Sequence, residues 1–329
     1  MSSGSKQART GGGELPLVEQ ILAESLGRRV SIVSLKREPS PYATLFPAEV
    51  LSVELADGDR LTLFLKHLGQ EQSDHPEKQC RDREVRVYQE LLGEDDLPVV
   101  KYHGSRWNDA TGRREVYLEY VDGWNLKYHD LEHWFTAARR LAHLHARFAG
   151  RAGQLLAGGF LLRFDEAYFG EWAERALSVV TGRLPRLGAE LQAVTSRYER
   201  VTELLAGQPA TLVHNDLAPK NVIADVSRSP ARICFVDWEM AGVGCGLLDL
   251  VHLKYGLDPE SDRTMREAYC DALAGTGLIP PDGRELGRLF AACEIHKTLY
   301  RLAFSTSWQL PAETVSQWVT ETRRWFDGI

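Results

Sequence analysis

The hydrophobic period of this chain changes part-way along its length, and that change limits the folds open to it. AEVLSVEL and RLTLFLKHL (48–55 and 60–68) alternate apolar and polar residues with a period of two, and Asp57-Gly58 between them is a hairpin signal. VSIVSL (30–35) reads as a further strand, 98–105 and 114–121 as a strand pair turning through Asn108 to Gly112, and 78–92 as a helix. From Leu131 the period becomes helical, with Trp134, Ala138, Leu141 and Leu144 on one stripe. Further helices are expected at 164–180, 188–206, 261–274, 284–304 and 311–326, interrupted by two short strand-like runs, 210–215 and 232–237. The expectation is an α+β chain of two lobes. A disordered Gly- and Ser-containing tail occupies 1–14, an N-terminal lobe of antiparallel sheet with one helix occupies 15–121, and a mainly helical lobe occupies 122–329.

The 329 residues are 43% hydrophobic and 26% charged, a composition that supports ordinary globular cores. A net charge of −7 argues against a nucleic-acid partner, because neutralising phosphates takes clustered Lys and Arg. No apolar run approaches the ~20 residues needed to span a bilayer, and the N-terminus lacks an apolar export core, so no membrane association is expected. Five scattered cysteines without a C-x-x-C pair point away from a disulfide framework or a zinc site, and fit a reducing cytoplasm.

The helical half contains LVHNDLAPKNVIAD (212–225). Asp216 ends one apolar run and Asp237 ends another, 21 residues later. If the two runs pair as a hairpin, both carboxylates emerge at neighbouring ends, with Asn221 in the loop between them. Two acids and an amide are hard oxygen ligands suited to magnesium, which keeps waters and phosphates as its other ligands.

His214-Asn215-Asp216-Leu217-Ala218-Pro219-Lys220-Asn221, followed by Asp237 in FVDWE, resembles the H-x-D-L-x-x-x-x-N and later Asp of protein-kinase-like phosphotransferases. The chain is similar to small-molecule kinases of the aminoglycoside phosphotransferase/choline kinase superfamily. That resemblance implies a protein-kinase-like two-lobed fold and ATP and Mg²⁺ as cofactors. The implied reaction moves the γ-phosphate to a hydroxyl of a small molecule: an aminoglycoside or other antibiotic, or an amino alcohol. Asp216 is the expected base, Asn221 and Asp237 the metal ligands, and Glu239, sharing a strand face with Asp237, a supporting contact. His214 is expected to pack beneath the loop, and Asp249 resembles an aspartate that ties the loop backbone down.

In the front lobe the resemblance implies a phosphate-binding cation held by a helical acid. Lys66 points away from Leu61, Leu63 and Leu65, and Glu84 lies on an apolar helical stripe, so these two are the expected ion pair. The carbonyl of Glu119 and the N–H of Val121 are expected to bind the adenine edge. REPSPYATLFPAEV replaces the glycine-rich loop of protein kinases, with Ser40 and Thr44 as phosphate-covering candidates. No G-x-x-x-x-G-K-[ST] is present, which excludes a P-loop enzyme, and GVGCG (242–246) is expected to make the turns after Asp237.

The chain after Asp237 is too short for a regulated peptide-docking segment, which favours a small-molecule acceptor over a protein. An acidic, aromatic wall formed by Trp124, Asp165, Tyr168, Trp172, Tyr255, Glu294 and Trp308 would suit a cationic acceptor by charge and by cation–π attraction. Two alternatives stand beside the antibiotic-kinase reading: a catalytically silent nucleotide-binding module on the same fold, and a choline/ethanolamine-type metabolic kinase.

Overall fold

A computed structural model describes residues 15–40, 47–68, 75–94, 96–108, 110, 112–279 and 282–329. The expected tail 1–14 and Thr44 of the phosphate-covering segment lie outside these residues. The described residues fall into two compact units, one ending at Gly123 and the other beginning at Trp124.

The first unit is built on a five-stranded antiparallel sheet. Its elements are α1 (Leu15–Leu26), β1 (Ile32–Pro39), β2 (Ala48–Leu55), β3 (Arg60–His67), α2 (Arg83–Glu90), β4 (Tyr102–Asn108) and β5 (Arg113–Glu119), with strand order β1-β2-β3-β5-β4. The period-two pattern of β2 and β3 sets their register, pairing Leu51 with Leu63 and Val53 with Leu61. Leu51, Val53, Leu55, Leu63 and Leu65 then bury against one face together with Tyr117.

The cover over that face corrects the expectation of a single helix in this lobe. α1 presents Val18, Ile21 and Leu22 at helical spacing to the sheet. Each fully buried aliphatic side chain of this kind is worth about 1.5–3 kcal/mol. The helix directly follows the polar leader, and its apolar stripe begins within a residue of where the tail was expected to end. The expected helix 78–92 is shorter, a 3₁₀ turn Pro76–Lys78 followed by α2.

The second unit is mainly helical. It contains β6 (Trp124–Asn125), α3 (Leu131–Phe148), α4 (Ala152–Ala157), β7 (Leu162–Arg163), α5 (Glu166–Arg183), α6 (Pro185–Thr195), α7 (Glu199–Ala206), β8 (Ala210–Val213), β9 (Val222–Asp225), β10 (Arg232–Phe235), β11 (Gly242–Cys245), α8 (Leu247–Leu253), α9 (Pro259–Ala272), α10 (Gly283–Ala303) and α11 (Ala312–Phe326). α5 packs on α10 and α6, α3 on α9, and α10 also on α11. The expected helix 188–206 is two helices, with a break at Ser196–Tyr198.

Two three-stranded sheets carry the polar loops, in orders β10-β9-β6 and β7-β11-β8. This corrects the expected hairpin between 210–215 and 232–237. β8 pairs with β11 and β10 pairs with β9, so the two acid-ended runs belong to different sheets. Gly242 and Gly244 of GVGCG lie in the wholly buried strand β11, not in turns after Asp237, and Gly246 is the N-cap of α8. A Cβ on Gly242 would lie 2.5 Å from the ring of Phe164, and one on Gly244 2.6 Å from the Cβ of Phe164. Absent side chains at both positions let β11 slide beneath Phe164 and reach β8. Among the described residues, no helix is long and apolar enough to cross a membrane.

Candidate active site

The loop 214–221 leaves the end of β8 and is fixed from below. Asp249, fully buried in the first turn of α8, accepts the backbone N–H of His214 at 2.7 Å and of Asn215 at 2.8 Å. The His145 ring lies 3.3 Å from the same carboxylate. Asn215 takes the left-handed conformation (φ 65°), which Asn tolerates better than most residues. Its amide donates to the hydroxyl of Tyr168 at 3.4 Å.

His214 packs under this turn as the sequence suggested. Its Nδ1 accepts the N–H of Asp216 at 3.3 Å, its Nε2 donates to the carbonyl of Val236 at 2.9 Å, and its ring centroid lies 4.5 Å from that of Trp238. One imidazole thus links the residue that bears the expected base to the residue before Asp237.

Asn221 provides the second link. Its Nδ2 donates to the backbone carbonyl of Asp216 at 2.7 Å and to the Asp216 carboxylate at 3.0 Å. Both partners are acceptors, so the amide must turn its NH₂ end towards Asp216, and its oxygen faces elsewhere. The N–H of Val236 donates to the Asn221 carbonyl at 3.0 Å. These bonds bring the backbone of Asp237 alongside the loop that carries Asp216 and Asn221, although no hairpin joins them.

Asp237 has φ 72°, also left-handed, and heads the 3₁₀ turn Trp238–Met240. A strained conformation of this kind costs about 1–3 kcal/mol and persists only where surrounding contacts enforce it. Glu239 lies within that turn, so it does not share a strand face with Asp237 as expected.

The sequence reading gave no role to Lys220. Its ammonium stands 3.2 Å from the Asp216 carboxylate, one helical step (i, i+4) along the chain. Spacing alone would have pointed to it.

The donor set fits magnesium. The Asn221 amide oxygen is released by the commitment of its nitrogen, and Asp237 supplies a carboxylate, both hard oxygen donors. Among the described residues no group of three or more His, Cys, Asp or Glu could hold a metal ion.

In the first unit Lys66 and Glu84 meet at 2.7 Å, with side chains 13% and 3% exposed. Glu119 ends β5; its N–H donates to the Lys101 carbonyl and its carboxylate accepts the Lys101 N–H. The backbone N–H of Val121 has no acceptor among the described residues. Ser40 is buried and donates its N–H to the Ala48 carbonyl at 2.8 Å, closing the end of the β1–β2 ladder.

The proposed acceptor wall divides. Tyr168 joins Asn215, and its ring continues to Trp172 at 6.5 Å and His296 at 5.6 Å. Trp172 is buried against Tyr300 and Phe304, on which the half-exposed Trp308 stacks. Tyr255 is 62% exposed beneath the guanidinium of Arg301, and Trp124 is 60% exposed on β6.

The two acids of that wall are engaged differently. Asp165 caps α5 by accepting the N–H of Tyr168 at 3.0 Å. Glu294 is ion-paired with Lys254 and with Arg266. Glu294 is thus charge-balanced by its own neighbours, whereas Asp165 keeps its charge at the N-terminus of α5.

With this geometry in view, the profile of the Phosphotransferase enzyme family matches residues 48–288. The chain belongs to that family. It is an enzyme of phosphate transfer, and its fold is the protein-kinase-like one expected from the sequence.

Solved structures agree on the fold. A microcompartment-associated aminopropanol kinase aligns with a TM-score of 0.59 at 16% identity, over 89% of this chain and 90% of that one. The macrolide 2'-phosphotransferase MphH from Brachybacterium faecium aligns with a TM-score of 0.54 at 16% identity, over 94% and 98%. The choline kinase LicA from Streptococcus pneumoniae aligns with a TM-score of 0.51 at 14% identity, over 97% and 100%. Among curated proteins, none matches by sequence.

Proposed function

We propose that this phosphotransferase is an ATP- and magnesium-dependent kinase that phosphorylates a hydroxyl of a small molecule. The observation that carries the reading is the two-point bond from Asn221 to Asp216, which orients a carboxylate while leaving an amide oxygen for a metal. Asp216 is the base. As the acceptor oxygen forms its bond to the γ-phosphorus, the bond to the β-phosphate oxygen breaks, ADP leaves, and the hydroxyl proton passes to the Asp216 carboxylate. A positioned base contributes roughly 10²–10⁴ in rate.

Asn221 and Asp237 would hold the magnesium, which when bound neutralises phosphate charge. Lys220, beside the base, would draw the transferring phosphoryl group towards it. Lys66, oriented by Glu84, would bind nucleotide phosphates, and the Val121 N–H with the Glu119 carbonyl would meet the adenine edge. Ser40 remains a candidate at the phosphate-covering segment.

A small acceptor fits the chain after Asp237. It runs through one 3₁₀ turn into the buried strand β11 and then α8, with no length left for a peptide-docking segment. Aminopropanol, a macrolide and choline are the acceptors named for the similar solved structures, and all three support a hydroxylated small molecule.

The test is incubation of the full-length protein with Mg-ATP and a library of antibiotics, amino alcohols, sugars and hydroxy acids, with added phosphate read by mass spectrometry. A phosphorylated acceptor that Asp216→Asn no longer modifies supports the proposal. Absence of any Mg-ATP binding by calorimetry would overturn it in favour of a silent module.

A further inference from the structure

Two cations on α10 have no carboxylate partner among the described residues. Lys297 and Arg301 are one helical step (i, i+4) apart, so they lie on the same face of α10. Lys297 is 7% exposed, and its ammonium makes a single hydrogen bond, to the Val251 carbonyl at 2.7 Å. Two of its three donors are unused. The guanidinium of Arg301 sits over the rings of Tyr255, at 5.1 Å, and Trp318, at 5.7 Å, and makes no ion pair among the described residues. His252, next in sequence to Val251, contributes a half-buried imidazole with no hydrogen-bond partner among the described residues.

The nearby acids Glu294 and Asp262 are ion-paired with other cations. Glu294 is held by Lys254 and Arg266, and Asp262 by the same two cations. Burial, then the charge of Arg301, hold the Lys297 ammonium well below its ordinary pKa, and burial, then Lys297 and Arg301, do the same for His252. Glu321, whose charge also acts on Arg301, bonds to Gln317. No carboxylate forms an ion pair with Lys297 or Arg301 among the described residues, and a buried cation without a direct partner is unfavourable.

The cluster adjoins the catalytic loop by two routes. Val251 lies two residues beyond Asp249, which holds the backbone of His214 and Asn215. His296, next to Lys297, is in ring contact with Tyr168, which bonds to Asn215. Asp216 and His214 are among the groups whose charges act on Lys297 and His252 respectively.

We infer that the acceptor carries an anionic group, a carboxylate or a phosphate, and that Lys297, Arg301 and His252 bind it while the acceptor hydroxyl reaches Asp216. This rests on the kinase reading given above and narrows its substrate class. It also reverses the expected charge of the acceptor. A buried amine with unused donors and an unpaired guanidinium together recognise an oxyanion through charge-assisted hydrogen bonds, the guanidinium by two parallel bonds.

The test titrates the full-length protein, saturated with a non-hydrolysable Mg-ATP analogue, with D-gluconate, glycerol 3-phosphate, glycerol and ethanolamine, followed by calorimetry and by thermal melting. Saturable binding of gluconate or of glycerol 3-phosphate is expected, with neither glycerol nor ethanolamine binding. The gluconate and phosphate arms identify which anion the site prefers. Lys297→Met, which fills the same buried volume without charge, and Arg301→Gln should each weaken that binding by about 10-fold or more, the scale of one charge-assisted hydrogen bond.

Both variants should keep the wild-type affinity for the Mg-ATP analogue, which shows that they are folded. Equal binding of the neutral or cationic probes, absence of binding by either anion, or unchanged anion affinity in both variants would overturn the inference. Failure of the analogue itself to bind would instead strike the kinase reading, so the two failures are distinguishable.

Discussion

Asn221 holds Asp216 at two points, giving one N–H to its carbonyl and one to its carboxylate, at 2.7 and 3.0 Å. One side chain thus sets the direction of the Asp216 carboxylate, the proposed base, and the direction of its own oxygen together. Asn221→Ala removes both effects and should lower kcat by about 10²-fold or more, combining a displaced base with a weakened metal site. Asp216→Asn keeps the side-chain shape and should lower kcat by roughly 10²–10⁴ while leaving nucleotide affinity near wild type. Steady-state kinetics with calorimetry of Mg-ATP binding checks both; equal loss of nucleotide affinity in the two variants would show that Asp216 acts on the metal rather than on the acceptor.

Asp249 is a positioning residue whose loss should be felt in folding as well as turnover. Its buried carboxylate takes two backbone N–H groups, and hydrogen bonds to a charged group contribute about 1.5–3 kcal/mol each. Asp249→Ala is expected to lower unfolding free energy by about 3 kcal/mol or more. A urea denaturation midpoint unchanged from wild type would refute this.

The Lys66–Glu84 pair is largely withdrawn from water, so removing one member has a different effect from removing both. Lys66→Met should destabilise by about 3–5 kcal/mol, because it removes one member of a largely buried ion pair, and should weaken nucleotide binding. The double variant Lys66→Met, Glu84→Gln should recover much of the stability but none of the nucleotide affinity. Recovery of both in the double variant would show that Lys66 does not touch the nucleotide.

The first unit carries a pH-dependent charge cluster at the edge of its core. His67 stands between Glu115 and Glu49, with its ring nitrogens 3.3 and 2.7 Å from their carboxylates, while Arg37 pairs with Glu49 and Arg113 with Glu115. The hydrogen bond to Glu115 raises the His67 pKa, against burial and with Glu49 adding to the rise. Burial would push Glu115 up, but bonds from His67 and Arg113 outweigh it and hold the carboxyl at about 2.

The His67 contribution is complete below its ordinary value of 6.5 and is lost as pH rises through its raised folded value. The Glu115 contribution is complete above its ordinary value of 4.5 and is lost as pH falls towards 2. The cluster therefore stabilises most between about pH 4.5 and 6.5. Denaturant titrations of wild type and His67→Gln across pH 4 to 9 isolate this contribution: the stability difference between the two should be largest below pH 6.5 and shrink as pH rises through the raised folded value. A difference between the two proteins that grows from pH 6 to 8 would contradict the assignment.

Local pattern by itself determined much of this protein. The period-two run of β3 fixed which face Lys66 points from, and the helical stripe of α2 placed Glu84 where it needs a cation. The H-x-D-L-x-x-x-x-N spacing and the later Asp237 marked the loop, because chemistry at a strand end depends on residues a few positions apart.

Tertiary structure alone decided the rest. Four-residue strands carry too little pattern to choose partners, so β8 could be matched with β10 on paper, whereas the missing side chains at Gly242 and Gly244 let β11 take that place beneath Phe164. Charge balance is equally non-local. Glu294 looks like a free acid in sequence, yet Lys254 and Arg266 from other elements neutralise it, and Lys297 and Arg301 are left without a partner among the described residues. Electrostatic energy depends on which charges meet in space, and a sequence states only which charges exist.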